Sequence, residues 1–438
     1  MNARTAPFIA GVAAVLLGLA IGLALRGVEP AATWLYEAAW YPTIVLMAAL
    51  VARREGADPF TAHPVHALSV FAWSAVFWFF FELLNWRLAN WYYVNVPAGR
   101  LERWVGISLA FATVLPAIFL AARALEAWGV VRSVRTTPMR VTPAGLRVTA
   151  FAGAVFLVLP LAWPRYFFPL VWGATTLLAE PALYRREPRW SLIADLERGE
   201  LGRIVRLLLG GAAIGLLWEL YNSFARSRWI YTVPGLEGLK IFEMPLLGFV
   251  GFPVFALECW SVFHLLACFG ISTPEVPRRG PVRIGRKTVT ALAGVAFAVA
   301  VLSGMERYTI SSTTPSLVEV PGVPASAAFR LQEAGESPFR LARMSASAVA
   351  RETGASVDEA RRWIEAARLV TLRGIGTVNA RRLAEIGVTS VATLAIQDPD
   401  ILAVKLAAGP GERRLRPTPA EVRVWVRAAL ETVLAKAS

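Results

Sequence analysis

Glu82 and Asn85 stand three residues apart, and so do Glu219 and Asn222. On a helix that spacing puts a carboxylate and an amide on one face. The carboxylate can give or take a proton and the amide can hold it in place, which is the equipment of acid/base chemistry. Each pair closes a long apolar run, where an ionisable group is costly unless it has a partner or a function. The two sites are copies. WFFFELLNWRLANWYYVNVP (78–97) and GLLWELYNSFARSRWIYTVP (215–234) share one offset, 219 − 82 = 137 and 222 − 85 = 137. Pro97 with Pro234, and Pro116 with Pro253, repeat at the same interval. Trp91 and Tyr93 follow the first pair, Trp229 and Tyr231 the second. Their rings would line a substrate and stabilise a developing cation. Enrichment of such rings at a bilayer interface accounts for them equally well.

Glu243 and Glu258 complete the set of candidate proton donors and acceptors, and neither is duplicated: 243 − 137 = 106 is a glycine. Glu258 lies fifteen residues beyond Glu243 (258 − 243 = 15), roughly 22 Å along a helix. It is therefore expected at a different depth from the other carboxylates. Pro116 and Pro253 read as a packing kink shared by both halves. His63, His66 and His264 are too few and too scattered for a metal site and read as structural. Cys259 and Cys268 lie on opposite faces of one segment and cannot pair with each other. There is no glycine-rich nucleotide fingerprint, so no cofactor is expected.

These residues need long apolar helices to position them, and the composition supplies them. The chain has 438 residues, 56% hydrophobic, with sixteen Trp and a mean hydropathy of +0.51. Apolar segments cover about 7–25, 34–52, 66–85, 104–127, 146–163, 166–183, 203–221, 244–270 and 288–304. Several reach the ~18 residues that a bilayer crossing requires. The first has no convincing cleavage site and reads as a retained span. A WPR turn at Trp163–Arg165 makes the fifth and sixth a tight hairpin. Net charge is +14. Residues 305–438 hold 18 basic and 14 acidic side chains, 18 − 14 = +4, so most of the excess lies among the apolar segments and signals topology rather than nucleic acid. Arginines cluster in alternate loops: Arg53 and Arg54; Arg132, Arg135, Arg140 and Arg147; Arg185, Arg186 and Arg189; Arg278, Arg279, Arg283, Arg286 and Lys287. That pattern makes the amino terminus cytoplasmic. With nine spans the carboxy-terminal part lies outside the cytoplasm; if 288–304 does not cross, it lies inside.

Four spans in each half make the duplication a parallel repeat, related by an axis along the membrane normal. The fold class is all-α. The expected domains are 1–135 (first membrane repeat), 136–304 (second repeat plus the last span) and 305–438 (a small soluble helical domain). The last is itself duplicated: VPGVPASAAFRLQEAGE (320–336) aligns with RGIGTVNARRLAEIGVT (373–389). Gly374 and Gly376 before a helix have the shape of a helix-hairpin-helix turn, whose exposed amides can hold a phosphate. Arg381 and Arg382 follow and fit phosphate or DNA binding. In the first copy Pro324 replaces the second glycine and removes a donor.

From Trp218 to Trp260 the chain resembles the membrane families of carotenoid biosynthesis, especially the repeated lycopene cyclase domains and the carotenoid hydratases. The shared pattern is an acidic helix end, the Trp229-Ile230-Tyr231 turn, and an apolar helix with Pro245, Pro253 and Glu258. The resemblance implies protonation of a polyene without redox change. The cyclases carry two adjacent Glu soon after a Pro, where this chain has Pro253 and the more distant Glu258. Residues 315–430 are similar to tandem helix-hairpin-helix modules of unknown function, most clearly at Gly374, Ile375, Gly376, Ala380 and Gly387. Such modules resemble those that grip nucleic-acid backbones. Three readings follow: an acid/base enzyme acting on a lipid-soluble isoprenoid or carotenoid; a non-catalytic scaffold presenting its tail to a protein or DNA partner; and a transporter. All three have the lipid bilayer as partner, in a bacterial-type inner or plasma membrane.

Overall fold

The structure is a computed structural model describing residues 1–131, 133–233, 240–276, 284–408 and 416–437. Arg132, Pro234, Arg278, Arg279 and Arg283 lie outside the described residues. The chain is mainly helical and divides into two units. The first comprises 1–90, 104–225 and 233–304; the second comprises 91–103, 226–232 and 305–438.

The long helices are α1 (Ala6–Leu25), α2 (Leu35–Glu55), α3 (Pro64–Leu88), α4 (Arg100–Ala127), α5 (Pro143–Ala162), α6 (Val171–Arg186), α7 (Gly202–Phe224), α8 (Gly251–Cys268) and α9 (Ile284–Tyr308). Among the described residues, eight helices are long and apolar enough to cross a membrane, and α6 is not one of them. Local signals set their ends. Gly56 stops α2 with φ +91°, which favours glycine. Pro143 occupies the first turn of α5, and Thr142 Oγ1 accepts the Gly145 N–H at 3.0 Å. The expected hairpin at Trp163 differs from a simple turn. Short helical turns fill 164–170, and α6 is broken at Trp172 and Gly173, where Gly173 has φ +110°.

The helix bounds repeat at the sequence offset: α5 begins at 143 and ends at 162, each 137 beyond α1 (143 − 6, 162 − 25). Within each half the contacts correspond too, although α4 packs far more on α7 than its counterpart α8 does on α3. In the first half α1 packs on α2, α2 on α4, and α3 on α4; in the second α5 packs on α6, α6 on α8, and α7 on α8. In α4, interrupted at Thr113, Pro116 cannot donate, and Ser74 of α3 fills the break. Its Oγ donates to Phe111 O at 2.6 Å and accepts the Leu115 N–H at 3.0 Å. The equivalent of Ser74 is Gly211 (74 + 137), where a Cβ would lie 2.7 Å from Phe252 O. Glycine there lets α7 and α8 approach closely.

The second unit joins two loops to the tail. Strands β1 (Trp91–Val94) and β2 (Arg228–Tyr231) pair antiparallel, Trp91 opposite Tyr231 and Tyr93 opposite Trp229. Thr309–Ser311 runs alongside: Tyr93 N–H donates to Thr309 O at 2.7 Å, and Ser311 N–H to Tyr93 O at 2.9 Å. Arg103 forks onto Glu306 with two bonds of 2.9 Å. The tail holds two small cores. The first is built on α10 (Ala325–Glu333), α11 (Pro338–Leu341), α12 (Ala346–Thr353) and α13 (Val357–Thr371). The second is built on α14 (Gly376–Glu385), α15 (Val391–Ala395), α16 (Pro399–Ala408) and α17 (Pro419–Ala437). A capping box of Ser356 and Glu359 starts α13.

Candidate functional site

Glu82 on α3 and Glu219 on α7 are fully buried, and so are Asn85 and Asn222. Trp78, one turn before Glu82, donates its Nε1–H to Glu82 Oε1 at 3.2 Å. Its ring lies 6.4 Å from that of Trp218, the neighbour of Glu219 in sequence. Trp40 of α2 and Phe255 of α8 extend the cluster, 6.0 Å and 6.1 Å from Trp218. The helices that carry the two carboxylates thus meet through one aromatic cluster. Asn85 also acts locally, because its Oδ1 accepts the Asn90 N–H at 2.9 Å where α3 ends. Glu243 is buried in the turn of a short hairpin, Lys240–Ile241 with Met244–Pro245.

Glu258 does something the sequence did not suggest. Its Oε1 accepts the Thr175 N–H at 3.0 Å and the Thr175 Oγ–H at 2.9 Å. Those groups sit just past the break in α6, where a restarted helix leaves backbone donors open. Glu258 therefore caps a broken helix from its neighbour α8. Glu180, absent from the sequence candidates, has a similar use. It accepts Ser191 Oγ–H at 2.7 Å, Ile193 N–H at 3.1 Å and Ser261 Oγ–H at 2.7 Å.

All four candidate aromatics of the loops come together. Trp91, Tyr93, Trp229 and Tyr231 form two directly opposed cross-strand pairs, so they share one face of the ribbon. The other face carries Tyr92, Val94 and Ile230, against which Val424 of α17 packs.

The tail glycines are held just as closely. Gly374 has φ +65°, and a Cβ there would lie 2.2 Å from Val94 Cβ; at Gly376, φ +71°, it would lie 2.6 Å from Ser312 Cβ. Both are buried. The hairpin expected to present amides to a phosphate instead lies tightly against β1 and the segment beside it. Arg381 donates to Glu319 O at 3.3 Å and Arg382 to Asn379 Oδ1 at 3.4 Å.

Asp195 and Glu421, both outside the long apolar helices, are displaced by burial. Asp195, in the short helix Leu192–Glu197, is pushed above its ordinary range, with Arg203 and Arg198 opposing the shift. Glu421 of α17 is likewise raised by burial, against bonds from Ser311 and Thr418. Among the described residues, no group of three or more His, Cys, Asp or Glu could hold a metal ion.

Neither a curated protein nor a solved structure matches the chain. Residues 332–432, from the end of α10 into α17, match the model of a family described as a domain of unknown function, DUF4332.

Proposed function

We propose that this is an integral membrane protein whose two head-to-tail halves bring Glu82 and Glu219 to a shared acid/base site for a lipid-soluble isoprenoid or carotenoid. The carrying observation is the burial of both carboxylates at equivalent positions, on helices that meet through Trp78 and Trp218. A ring cluster of this kind suits a polyene and a developing carbocation. One carboxyl would donate a proton and the other accept one, with Asn85 and Asn222 fixing their orientation.

Parity of crossings supports nine spans. Paired strands occupy one side of a bilayer, so the number of crossings between β1 and β2 must be even. α4, α5 and α7 make three, and α6 supplies the fourth. Its sixteen residues reach roughly 24 Å, and its broken start accounts for the shortfall. α8 and α9 add two more crossings, which returns Thr309–Ser311 to the side of β1, where it pairs. With the arginine-rich loops inside, the amino terminus is cytoplasmic and the ribbon and tail are outside. The strand pairs also map onto one another under the repeat: Trp91 with Tyr231 becomes Arg228 with Val94 (91 + 137, 231 − 137). This favours a two-fold axis along the membrane normal.

The test is expression in a host that accumulates lycopene or another polyene. Pigment absorbance should shift, and Glu219→Gln and Glu82→Gln should each abolish the shift while leaving the protein level intact. An unchanged spectrum with the unaltered chain across several polyenes rejects the reading. A non-catalytic scaffold is the competing reading, favoured by Asn85, whose amide serves the end of α3.

A further inference from the structure

A cavity of about 540 Å³ lies at the opposite ends of these helices from Glu82 and Glu219, lined in part by α3, α4, α7 and α8. That is the size of an ordinary small-molecule site. Three pairs of repeat-equivalent residues line it: His66 and Arg203 (203 − 66 = 137), Arg123 and Trp260 (260 − 123 = 137), Glu126 and Phe263 (263 − 126 = 137). The cavity therefore straddles the junction of the two halves, and every pair has diverged in charge and shape. Junctions of this kind are where repeated membrane folds hold ligands.

Its walls are specific. The Trp260 ring lies 3.9 Å from that of His264, and its Nε1–H donates to Trp190 O at 2.8 Å. The Arg203 guanidinium sits 5.0 Å from the Trp260 ring and 3.4 Å from Asp195, and its Nη1 makes no hydrogen bond. The lining carries Arg123, Arg135, Arg189, Arg203 and Arg206 against Glu126, Asp195, Glu200 and Glu275, a net positive set that favours an anionic acceptor. His66 and His264 are both more than nine-tenths buried. Each Nδ1 meets a backbone carbonyl at 2.9 Å, Thr273 O and Trp260 O. A carbonyl only accepts, so each Nδ1 carries the proton and each Nε2 is the atom left to receive a donor.

We propose that this cavity binds a phosphate-ester headgroup bearing free hydroxyls. Arg203 meets the phosphate, the imidazole Nε2 atoms accept from hydroxyls, and Trp260 and Phe263 cover the carbon skeleton. A bare phosphate would fill little of the space. Basic pockets between membrane helices on the cytoplasmic side suit anionic lipid headgroups, and a soluble glycerol phosphate offers the same groups. The proposal is independent of the acid/base reading at Glu82 and Glu219.

The experiment uses the full chain, delipidated in a neutral detergent, and measures binding by native mass spectrometry and thermal shift. The probes are phosphatidylglycerol, phosphatidylcholine of the same acyl chains, glycerol phosphate and inorganic phosphate. Phosphatidylglycerol should bind one per chain and phosphatidylcholine should not, with Arg203→Gln weakening binding at least ~10-fold. Binding of glycerol phosphate with the same Arg203 dependence supports the site and names a soluble source. Equal binding of phosphatidylcholine, inorganic phosphate as effective as glycerol phosphate, no binding of any probe, or full binding by Arg203→Gln each overturns it. If Arg203→Gln does not fold, the unaltered chain's preference for phosphatidylglycerol over phosphatidylcholine decides alone.

Discussion

At Glu82 and Glu219 the two halves keep a glutamate, the leucine after it and an asparagine at one offset; around the cavity they carry different residues at that same offset. Both Glu–Asn pairs are buried, and the strand bounds repeat at the offset (228 − 91 = 137, 231 − 94 = 137) although every aligned strand residue differs. His66 corresponds to Arg203 under the duplication, and Arg123 to Trp260. The difference has a physical reason. β1 and β2 are each other's partners, so the pairing register is fixed even though the side chains on the two strands differ. The cavity positions share a space rather than a bond, and an asymmetric ligand would draw the copies apart. The buried Glu–Asn pair is what both copies keep, and the cavity lining is where they differ.

The largest expected effect tests how far the halves differ in packing. Trp78 in the first half corresponds to Gly215 in the second, where a Cβ would lie 2.2 Å from the Phe252 ring. Gly215→Trp should therefore cost on the order of 3 kcal/mol or more, seen as lost folded yield in detergent; normal yield would mean the halves pack alike. Next, Trp260→Ala removes the ring on His264 and the bond to Trp190 O. It should cost about 3–5 kcal/mol in thermal unfolding and remove phosphatidylglycerol binding with it. Ser74→Ala strips both bonds from the break in α4, and should cost about 1 kcal/mol with no loss of lipid binding. A larger loss would place the break in α4 closer to the cavity's own support.

The smallest effect is a pH dependence in the ribbon-and-tail unit. Burial raises the Glu421 carboxyl above its ordinary value, so the folded state holds that proton more tightly than the unfolded one. Stability is then greatest below the ordinary carboxylate pKa and declines as pH rises through the raised value. Glu421→Gln should flatten this dependence, read as hydrogen exchange along α17 against pH. An unchanged slope would assign the pH dependence to other groups.

Much of the helical framework is legible in composition. The nine apolar segments fall within a few residues of the observed helices because burial in lipid or in a helix core leaves the same apolar run. The break in α6 is not legible, since Trp172 and Gly173 look ordinary in an apolar stretch. For that reason Glu258 reads in the sequence as a lone interior acid rather than a cap on another helix. The WYYV of β1 reads as interfacial aromatics because its partner is 137 residues away. The same long-range pairing gives Gly374 and Gly376 a close approach to Val94 and Ser312 instead of open amides. His66 and His264 read as structural, and backbone carbonyls do hold them in place. Their Nε2 atoms gain meaning only once the cavity is seen.

In two unflipped halves, 91–103, 226–232 and the tail must occupy one side of the bilayer. Single cysteines at Ala98, Ser227 and Ala334, with Thr137 as the opposite-side control, can be placed in a Cys259→Ser, Cys268→Ser background. A membrane-impermeant maleimide applied to intact cells should label the first three and spare Thr137→Cys until the cells are opened. Labelling of Ala98→Cys and Ser227→Cys from opposite sides would contradict the two unflipped halves.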